Sequence, residues 1–214
     1  AAAIVVGCNT ASAVAGLRLR QEFPNVPIFE VVAPAVREAL RVSKTGRVGV
    51  IGTRTTVESG VYQRWLPGLD IPRPSLRADR RLGLPIYARA CPLFVSLVEA
   101  GRLVHPATYE VAEQYLKPFK QGRIDTLILG CTHYPWLKPV IEDIMGKHVQ
   151  LVDSAETVAK EVAEAVQHDN RTAGQRKRKG LVAHEFYVSK KTPRFQELAE
   201  KWLGMKIDLK LGKV

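Results

Sequence analysis

Short apolar runs alternate along this chain with longer stretches in which apolar residues recur at helical spacing. The apolar runs have the length of buried parallel strands and occupy residues 3–7, 27–32, 47–53, 125–130 and 149–154. Helices are predicted in the amphipathic stretches at residues 11–23, 34–42, 57–65, 105–119, 136–145, 155–167 and 193–202. Residues 70–86, rich in Pro and Arg, are predicted to form a loop, and Ser154 is predicted to cap the helix that follows it. Alternation of this kind predicts the α/β class with parallel sheets.

The same local pattern surrounds two of the three cysteines. Cys8 and Cys131 each follow an apolar run and a glycine, and each precedes a predicted helix. Ligands of open α/β sheets bind at the carboxyl ends of the strands, and a helix N-terminus favours a thiolate. The likeness of the two segments predicts two doubly wound units with a cleft between them. It also predicts two thiols that face each other across a site.

Polar residues beside the cysteines extend the candidate site. His133 lies two residues after Cys131, where an imidazole can orient the thiol or exchange its proton. Thr10, Thr53 and Thr132 also follow strands, and with helix-start N–H groups they would hold a carboxylate or a phosphate. Thr53 has a second interpretation as a simple helix cap.

Less specific interpretations stand beside these. A cysteine after a strand is often a small buried apolar residue, and this interpretation is preferred for Cys91, which precedes Pro92 and an apolar run. A zinc site built from Cys8, Cys131 and His133 has no C-x-x-C spacing to support it. Glu99 ends an apolar stretch and is either an ordinary exposed carboxylate or part of the site.

Composition narrows the class of protein. The chain has 214 residues, of which 46% are apolar and 25% charged, as in ordinary globular proteins. No membrane span or signal peptide is visible, and three cysteines without framework spacing fit a reducing cytoplasm. A net charge of +11 suits either nucleic acid or an acidic small molecule. Much local charge comes from residues 176–179, which are predicted to be a solvated loop.

Four motifs, read in order, resemble the glutamate racemases of the cofactor-independent aspartate/glutamate racemase superfamily. They are VVGCNTASA at residues 5–13, VIGT at 50–53 with Thr56, ACPLFV at 90–95 with Glu99, and LILGCTHYP at 127–135. The resemblance covers nearly the whole chain.

The resemblance implies a two-base mechanism without a cofactor or a metal. One thiolate removes the α-proton of glutamate, and the opposite thiol protonates the other face. Carried over by motif, Cys8 and Cys131 are the acid/base pair, and His133 assists Cys131. The implied substrate contacts are Asn9, Thr10, Thr132, Thr53 and Glu99. The product would be D-glutamate for peptidoglycan synthesis, made in the cytoplasm by an expected homodimer.

The resemblance also implies a domain arrangement. Residues 1–33 and 153–214 would form one discontinuous domain, and residues 34–152 would form the other. The family's opening Asp-Ser pair and its Pro-Tyr-Gly loop do not occur in their expected places, so we expect a racemase that lacks its N-terminal portion. Two alternatives are a related racemase that acts on aspartate, and a non-catalytic binding protein that contacts DNA gyrase or nucleic acid.

Overall fold

A computed structural model describes residues 1–64, 86–168 and 184–212. The chain divides into two compact units, Ala1–His168 and Asp169–Val214. The predicted domain boundaries near residues 33 and 153 stay a prediction. In the described part of the chain, no helix is long and apolar enough to cross a membrane.

Strands and helices alternate through the first unit. Its strands are β1 (Ile4–Val6), β2 (Ile28–Glu30), β3 (Val48–Gly52), β4 (Ile86–Ala90), β5 (Thr126–Gly130) and β6 (Gln150–Asp153). Its helices are α1 (Asn9–Glu22), α2 (Val32–Val42), α3 (Arg54–Glu58), α4 (Val61–Arg64), α5 (Leu93–Glu99), α6 (Pro106–Gln121), α7 (Lys138–Met145) and α8 (Ser154–His168), with a 3-10 helix at Tyr134–Leu137. The second unit contains β7 (Phe186–Val188), α9 (Pro193–Leu203) and β8 (Leu209–Leu211).

Every strand pair of the described residues is parallel. β1 pairs with β2, and a four-stranded sheet has the order β4-β3-β5-β6. In the second unit β7 pairs with β8. The predicted α/β class with parallel sheets is confirmed.

Helices cover both faces of the four-stranded sheet. On one face, buried residues of α2 such as Val36 pack with Val50 and Ile128 of the sheet in a single apolar cluster. On the other face, Phe119 of α6 packs so closely that a Cβ atom on Gly49 would lie 2.7 Å from it. All five residues of β3 and of β5 are buried, as continuous apolar strands of a covered parallel sheet should be.

The structure corrects four sequence predictions. The helix predicted at 57–65 is instead α3 and α4, which are separated at Gly60, a residue whose φ of 66° is easy only for glycine. The helix predicted at 136–145 starts as a 3-10 turn, and α7 begins only at Lys138. Ser154 is not the cap of α8, because Asp153 Oδ1 accepts the hydrogen bonds from the first N–H groups.

The fourth correction concerns β4, which the sequence prediction missed. Its residues Ile86–Ala90 include an Arg and two Ala, and they follow a stretch rich in Pro and Arg, so their apolar signal is weak. Of the loop predicted at 70–86, only Ile86 lies within the described residues. The charged run at 176–179 lies outside them.

Candidate active site

Cys8 is the N-cap residue of α1 and is separated from the end of β1 by Gly7. Its backbone is extended, with φ of −131° and ψ of 123°, and its carbonyl oxygen accepts the N–H of Ser12 at 2.8 Å. The helix begins at Asn9, two residues earlier than predicted, so Thr10 also lies in its first turn. The Cys8 thiol is exposed. An anion here would lie beside the positive end of a 14-residue helix.

Cys131 follows β5 and is buried, with 6% of its surface exposed. Burial raises the pKa of its thiol to about 11, while the backbone N–H groups of His133 and Tyr134 pull the pKa down. A negative charge on Cys8 would also raise this pKa. That the two cysteines face each other across one site stays a prediction.

His133 bridges Cys131 and Glu99. Its Nδ1 atom lies 3.9 Å from the sulfur of Cys131, and its Nε2 atom lies 3.1 Å from Oε1 of Glu99. Glu99 is the last residue of α5, and its position brings the carboxylate to the imidazole. Glu99 therefore contacts His133 in the structure, and the substrate contact that the resemblance implies for it stays a prediction.

Three threonine hydroxyls form a triangle between α1 and α3. The Oγ1 atoms of Thr10 and Thr53 are 2.9 Å apart, those of Thr53 and Thr56 are 2.9 Å apart, and those of Thr10 and Thr56 are 3.2 Å apart. Thr53 also caps α3 by accepting the N–H of Thr56 at 3.2 Å. Thr53 therefore caps α3 and also lies in contact with Thr10. Thr56 was not among the predicted site residues, although its position three residues after a cap was a usable signal.

Asn9 is buried and joined to two other elements. Its Nδ2 atom donates to Ser154 Oγ at 3.0 Å, and its Oδ1 atom accepts from the hydroxyl of Tyr62. Ser154 in turn donates to the carbonyl oxygen of Leu129 at 2.9 Å. Neither Tyr62 nor Ser154 was predicted to belong to the site, since a lone Tyr in a helix and a Ser after a strand carry no specific signal.

The remaining candidates have simpler positions. Thr132 is half-buried in the turn between Cys131 and His133. Cys91 is fully buried, burial raises the pKa of its thiol, and its sulfur donates to the carbonyl oxygen of Arg89 at 3.7 Å, which agrees with a structural role. Within residues 1–64, 86–168 and 184–212, no group of three or more His, Cys, Asp or Glu side chains is arranged to hold a metal ion.

The chain was compared with known protein families and with solved structures. Residues 1–162 match the family described as Asp/Glu/Hydantoin racemase. The chain belongs to this racemase family. It is thus similar to amino-acid racemases, which are isomerases.

Relatives and solved structures in the racemase family are similar over nearly all of this chain. A glutamate racemase of Aquifex aeolicus is 41% identical over 208 residues, which are 97% of this chain and 72% of that protein. The crystal structure of a glutamate racemase isoform from Bacillus anthracis matches with a TM-score of 0.80 and 34% identity, covering 100% of this chain and 74% of that one.

A third racemase of the family was solved with a ligand. The glutamate racemase from Francisella tularensis, in complex with D-glutamate, matches with a TM-score of 0.78 and 27% identity, over 100% of this chain and 73% of that one. These relatives support a glutamate racemase over both the aspartate-specific racemase and the non-catalytic binding protein.

Proposed function

We propose that the protein carrying this chain interconverts L- and D-glutamate with Cys8 and Cys131 as its two acid/base groups. The observation that carries the proposal is the pair of free thiols, one exposed at the start of α1 and one buried directly after β5. Similarity to glutamate racemases selects glutamate as the substrate.

Inversion needs proton removal on one face and proton delivery on the other. One cysteine, as a thiolate, takes the α-proton, and the electron pair of the broken C–H bond remains on the α-carbon and its carboxylate. The other cysteine, as a thiol, donates its proton to the opposite face, so that the two sulfurs exchange protonation states. The raised pKa of Cys131 suits the donor role, because this sulfur holds a proton at neutral pH.

Acting as a base requires Cys131 to lose that proton. His133 is the proposed acceptor, since its Nδ1 atom is 3.9 Å from the sulfur. Glu99 holds the far nitrogen of the imidazole at 3.1 Å and so fixes the orientation of the ring. The N–H groups of His133 and Tyr134 stabilise the resulting thiolate.

The substrate carboxylates need hydrogen-bond donors. Thr10, Thr53 and Thr132 are the proposed contacts, supported by the hydroxyl triangle beside the N-terminus of α1 and by the position of Thr132 next to Cys131. Confining glutamate between two fixed sulfurs supplies much of the rate by positioning.

A wider setting belongs to the same proposal. D-glutamate would supply peptidoglycan synthesis, and the cytoplasm is the proposed location because the mechanism needs free thiols, which persist in reducing compartments. A homodimer remains a prediction from the family resemblance, and light scattering on the purified protein tests it.

The test of the proposed function uses three alanine variants. Cys8→Ala and Cys131→Ala should each lower racemisation of either enantiomer to background, because inversion requires both faces. Cys91→Ala is the matched control. This cysteine is also outside any disulfide but has no proposed part in the reaction, so activity should stay within about twofold of wild type.

The loss of circular dichroism with time, starting from either pure enantiomer, measures the reaction, and L-aspartate in place of glutamate tests the specificity. Full activity in either Cys8→Ala or Cys131→Ala would overturn the assignment of the bases. Faster turnover of aspartate than of glutamate would overturn the substrate.

A further inference from the structure

The side-chain amide of Asn9 is buried and hydrogen-bonded to two other parts of the fold. The residue is 1% exposed, its Nδ2 atom donates to Ser154, and its Oδ1 atom accepts from Tyr62. One N–H group of the amide and one lone pair of its oxygen therefore bind protein groups. The substrate contact that the resemblance implies for Asn9 stays a prediction beside these hydrogen bonds.

The partners of Asn9 are as deeply buried as Asn9 itself. Tyr62 is 2% exposed and Ser154 is 0% exposed. Burial raises the pKa of the Tyr62 phenol far above its usual value, so its hydroxyl stays protonated and available as a donor. A buried polar group that loses its hydrogen-bond partner carries a desolvation cost, which keeps such a series of hydrogen bonds in one arrangement.

Each of the three hydrogen-bonded residues lies next to the segment that carries Cys8 or the segment that carries Cys131. Asn9 directly follows Cys8. Ser154 donates to the carbonyl oxygen of Leu129, two residues before Cys131. Tyr62 packs against the residue between these two, since a Cβ atom on Gly130 would lie 3.1 Å from Cε2 of its ring. The hydrogen bonds therefore join the first turn of α1 to the end of β5.

We infer that Tyr62, Asn9 and Ser154 are positioning residues that hold the Cys8 and Cys131 segments in register for inversion. The inference rests on the proposed racemase function. Two sulfurs must address opposite faces of one carbon atom, and an error of about 1 Å in such an arrangement costs about a hundredfold in rate. None of the three side chains needs to touch glutamate for this role.

Tyr62→Phe removes one hydroxyl and leaves the ring in its buried site. We expect kcat to fall about tenfold to a hundredfold in both directions, with KM within about threefold of wild type, because alignment is lost and binding is not. Ser154→Ala, which removes the other end of the chain of hydrogen bonds, should act in the same way. The matched control is Ser43→Ala, which loses a hydroxyl that donates to Asp125 at 2.6 Å near the opposite end of β5, and its kcat should not change.

Proton exchange in D2O separates misalignment from partial unfolding. A thiolate that removes the α-proton but has no aligned partner exchanges it with solvent and returns a deuteron to the same face, where the electron pair forms the new C–D bond. The ratio of α-deuteration without inversion to inversion should therefore rise in Tyr62→Phe and Ser154→Ala. Partial unfolding lowers both rates equally, so an unchanged ratio, or a raised KM with unchanged kcat, overturns the inference.

A second readout does not depend on turnover. Buried Cys131 is alkylated with iodoacetamide at fixed pH, and peptide mapping gives the rate. This rate should become at least about threefold faster in Tyr62→Phe and Ser154→Ala and remain unchanged in Ser43→Ala. A wild-type protein that does not racemise glutamate overturns the proposed function alone, and the alkylation rates still decide whether the three residues hold the Cys131 segment. Unchanged alkylation in both variants counts against the inference.

Discussion

Cys131 and Cys8 carry the same functional group in different surroundings. Cys131 has 6% of its surface exposed, whereas Cys8 is exposed at the N-terminus of a helix. Burial, as the largest effect, keeps the proton on Cys131, and the nearby charge of Cys8 adds to it. The free site therefore favours a protonated Cys131 as the starting state.

The pH dependence of alkylation tests this state. Since only the thiolate reacts, the rate at Cys131 should rise about tenfold per pH unit from pH 7 and reach its plateau only near pH 11. In Cys8→Ala the plateau for Cys131 should move to lower pH, because the negative charge of a Cys8 thiolate, which disfavours the Cys131 thiolate, can no longer form. Peptide mapping after timed treatment with iodoacetamide gives the rates, and a plateau near pH 8.5, where ordinary thiols titrate, would contradict the assigned environment.

Residue types alone were enough to predict Cys8, Cys131 and His133, because thiols and an imidazole after apolar runs are distinctive. They were not enough for Tyr62 and Ser154. Tyr62 and Ser154 form hydrogen bonds with Asn9 from positions 53 and 145 residues away along the chain. Contacts at such separation have no periodic signal, so only the folded structure brings them to the site.

At the level of elements, β3 and β5 approach each other through a pair of glycines. Gly52 lies opposite Gly130, and a Cβ atom on Gly130 would lie 2.7 Å from the backbone oxygen of Ile51. The close approach leaves room for the Tyr62 ring beside the end of β5. The sequence pattern placed both strands correctly, but it could not show that their ends need the smallest residue.

The opposite end of the same sheet is held by Asp125, just before β5. Its carboxylate accepts the hydroxyl of Ser43 at 2.6 Å and the N–H groups of Lys44 and Thr45 at 2.8 and 2.6 Å. Burial alone would raise the pKa of this carboxyl, but hydrogen bonds from Ser43, Thr45 and Lys44 outweigh it and lower the pKa to about 2.

Asp125→Asn should therefore lower the free energy of unfolding by about 1–2 kcal/mol at pH 7, a value reduced from the full shift because the group is partly solvated. A carboxyl whose pKa is lowered by folding stabilises the fold above its unfolded pKa, near 4, and loses that contribution as the pH falls toward 2. The gap between variant and wild type should accordingly narrow below pH 4.

Urea denaturation at a series of pH values measures this gap. Glu113→Gln, on the exposed side of α6, is the control and should change stability by less than about 0.5 kcal/mol. A gap for Asp125→Asn that stays constant from pH 7 to pH 3 would show that the charge of Asp125 does not stabilise the fold.

At the scale of the whole molecule, the net charge of +11 acts on a substrate that carries net negative charge. A field of this sign raises the local concentration of glutamate, and salt screens it over a distance of about 10 Å at 0.1 M. KM for glutamate should rise roughly threefold between low salt and about 0.5 M NaCl, whereas kcat should change little.

Steady-state kinetics at increasing ionic strength checks this expectation. Acetate replaces chloride at equal ionic strength as the control, since screening depends on charge and not on the identity of the ion. A KM that is independent of salt would mean that the basic residues act elsewhere on the molecule.

The fold class could be predicted from the sequence more completely than the individual elements. Apolar runs and helical periodicity were sufficient to predict the α/β class, because a parallel sheet covered on both faces requires continuous apolar strands such as β3 and β5. They failed for β4, whose Arg and Ala residues lack that signal, and for the break at Gly60, which depends on one backbone angle. The site residues that depended on strand ends were predicted, and those that depended on packing were not.

The triangle of Thr10, Thr53 and Thr56 has a consequence for hydrogen order. Each hydroxyl has one hydrogen, and three hydrogens can occupy the three edges in a clockwise or an anticlockwise sense without any heavy atom moving. In either sense, every hydroxyl hydrogen is already used inside the ring. An arriving carboxylate must therefore open one edge, and the two remaining edges then polarise the hydroxyl that turns toward it.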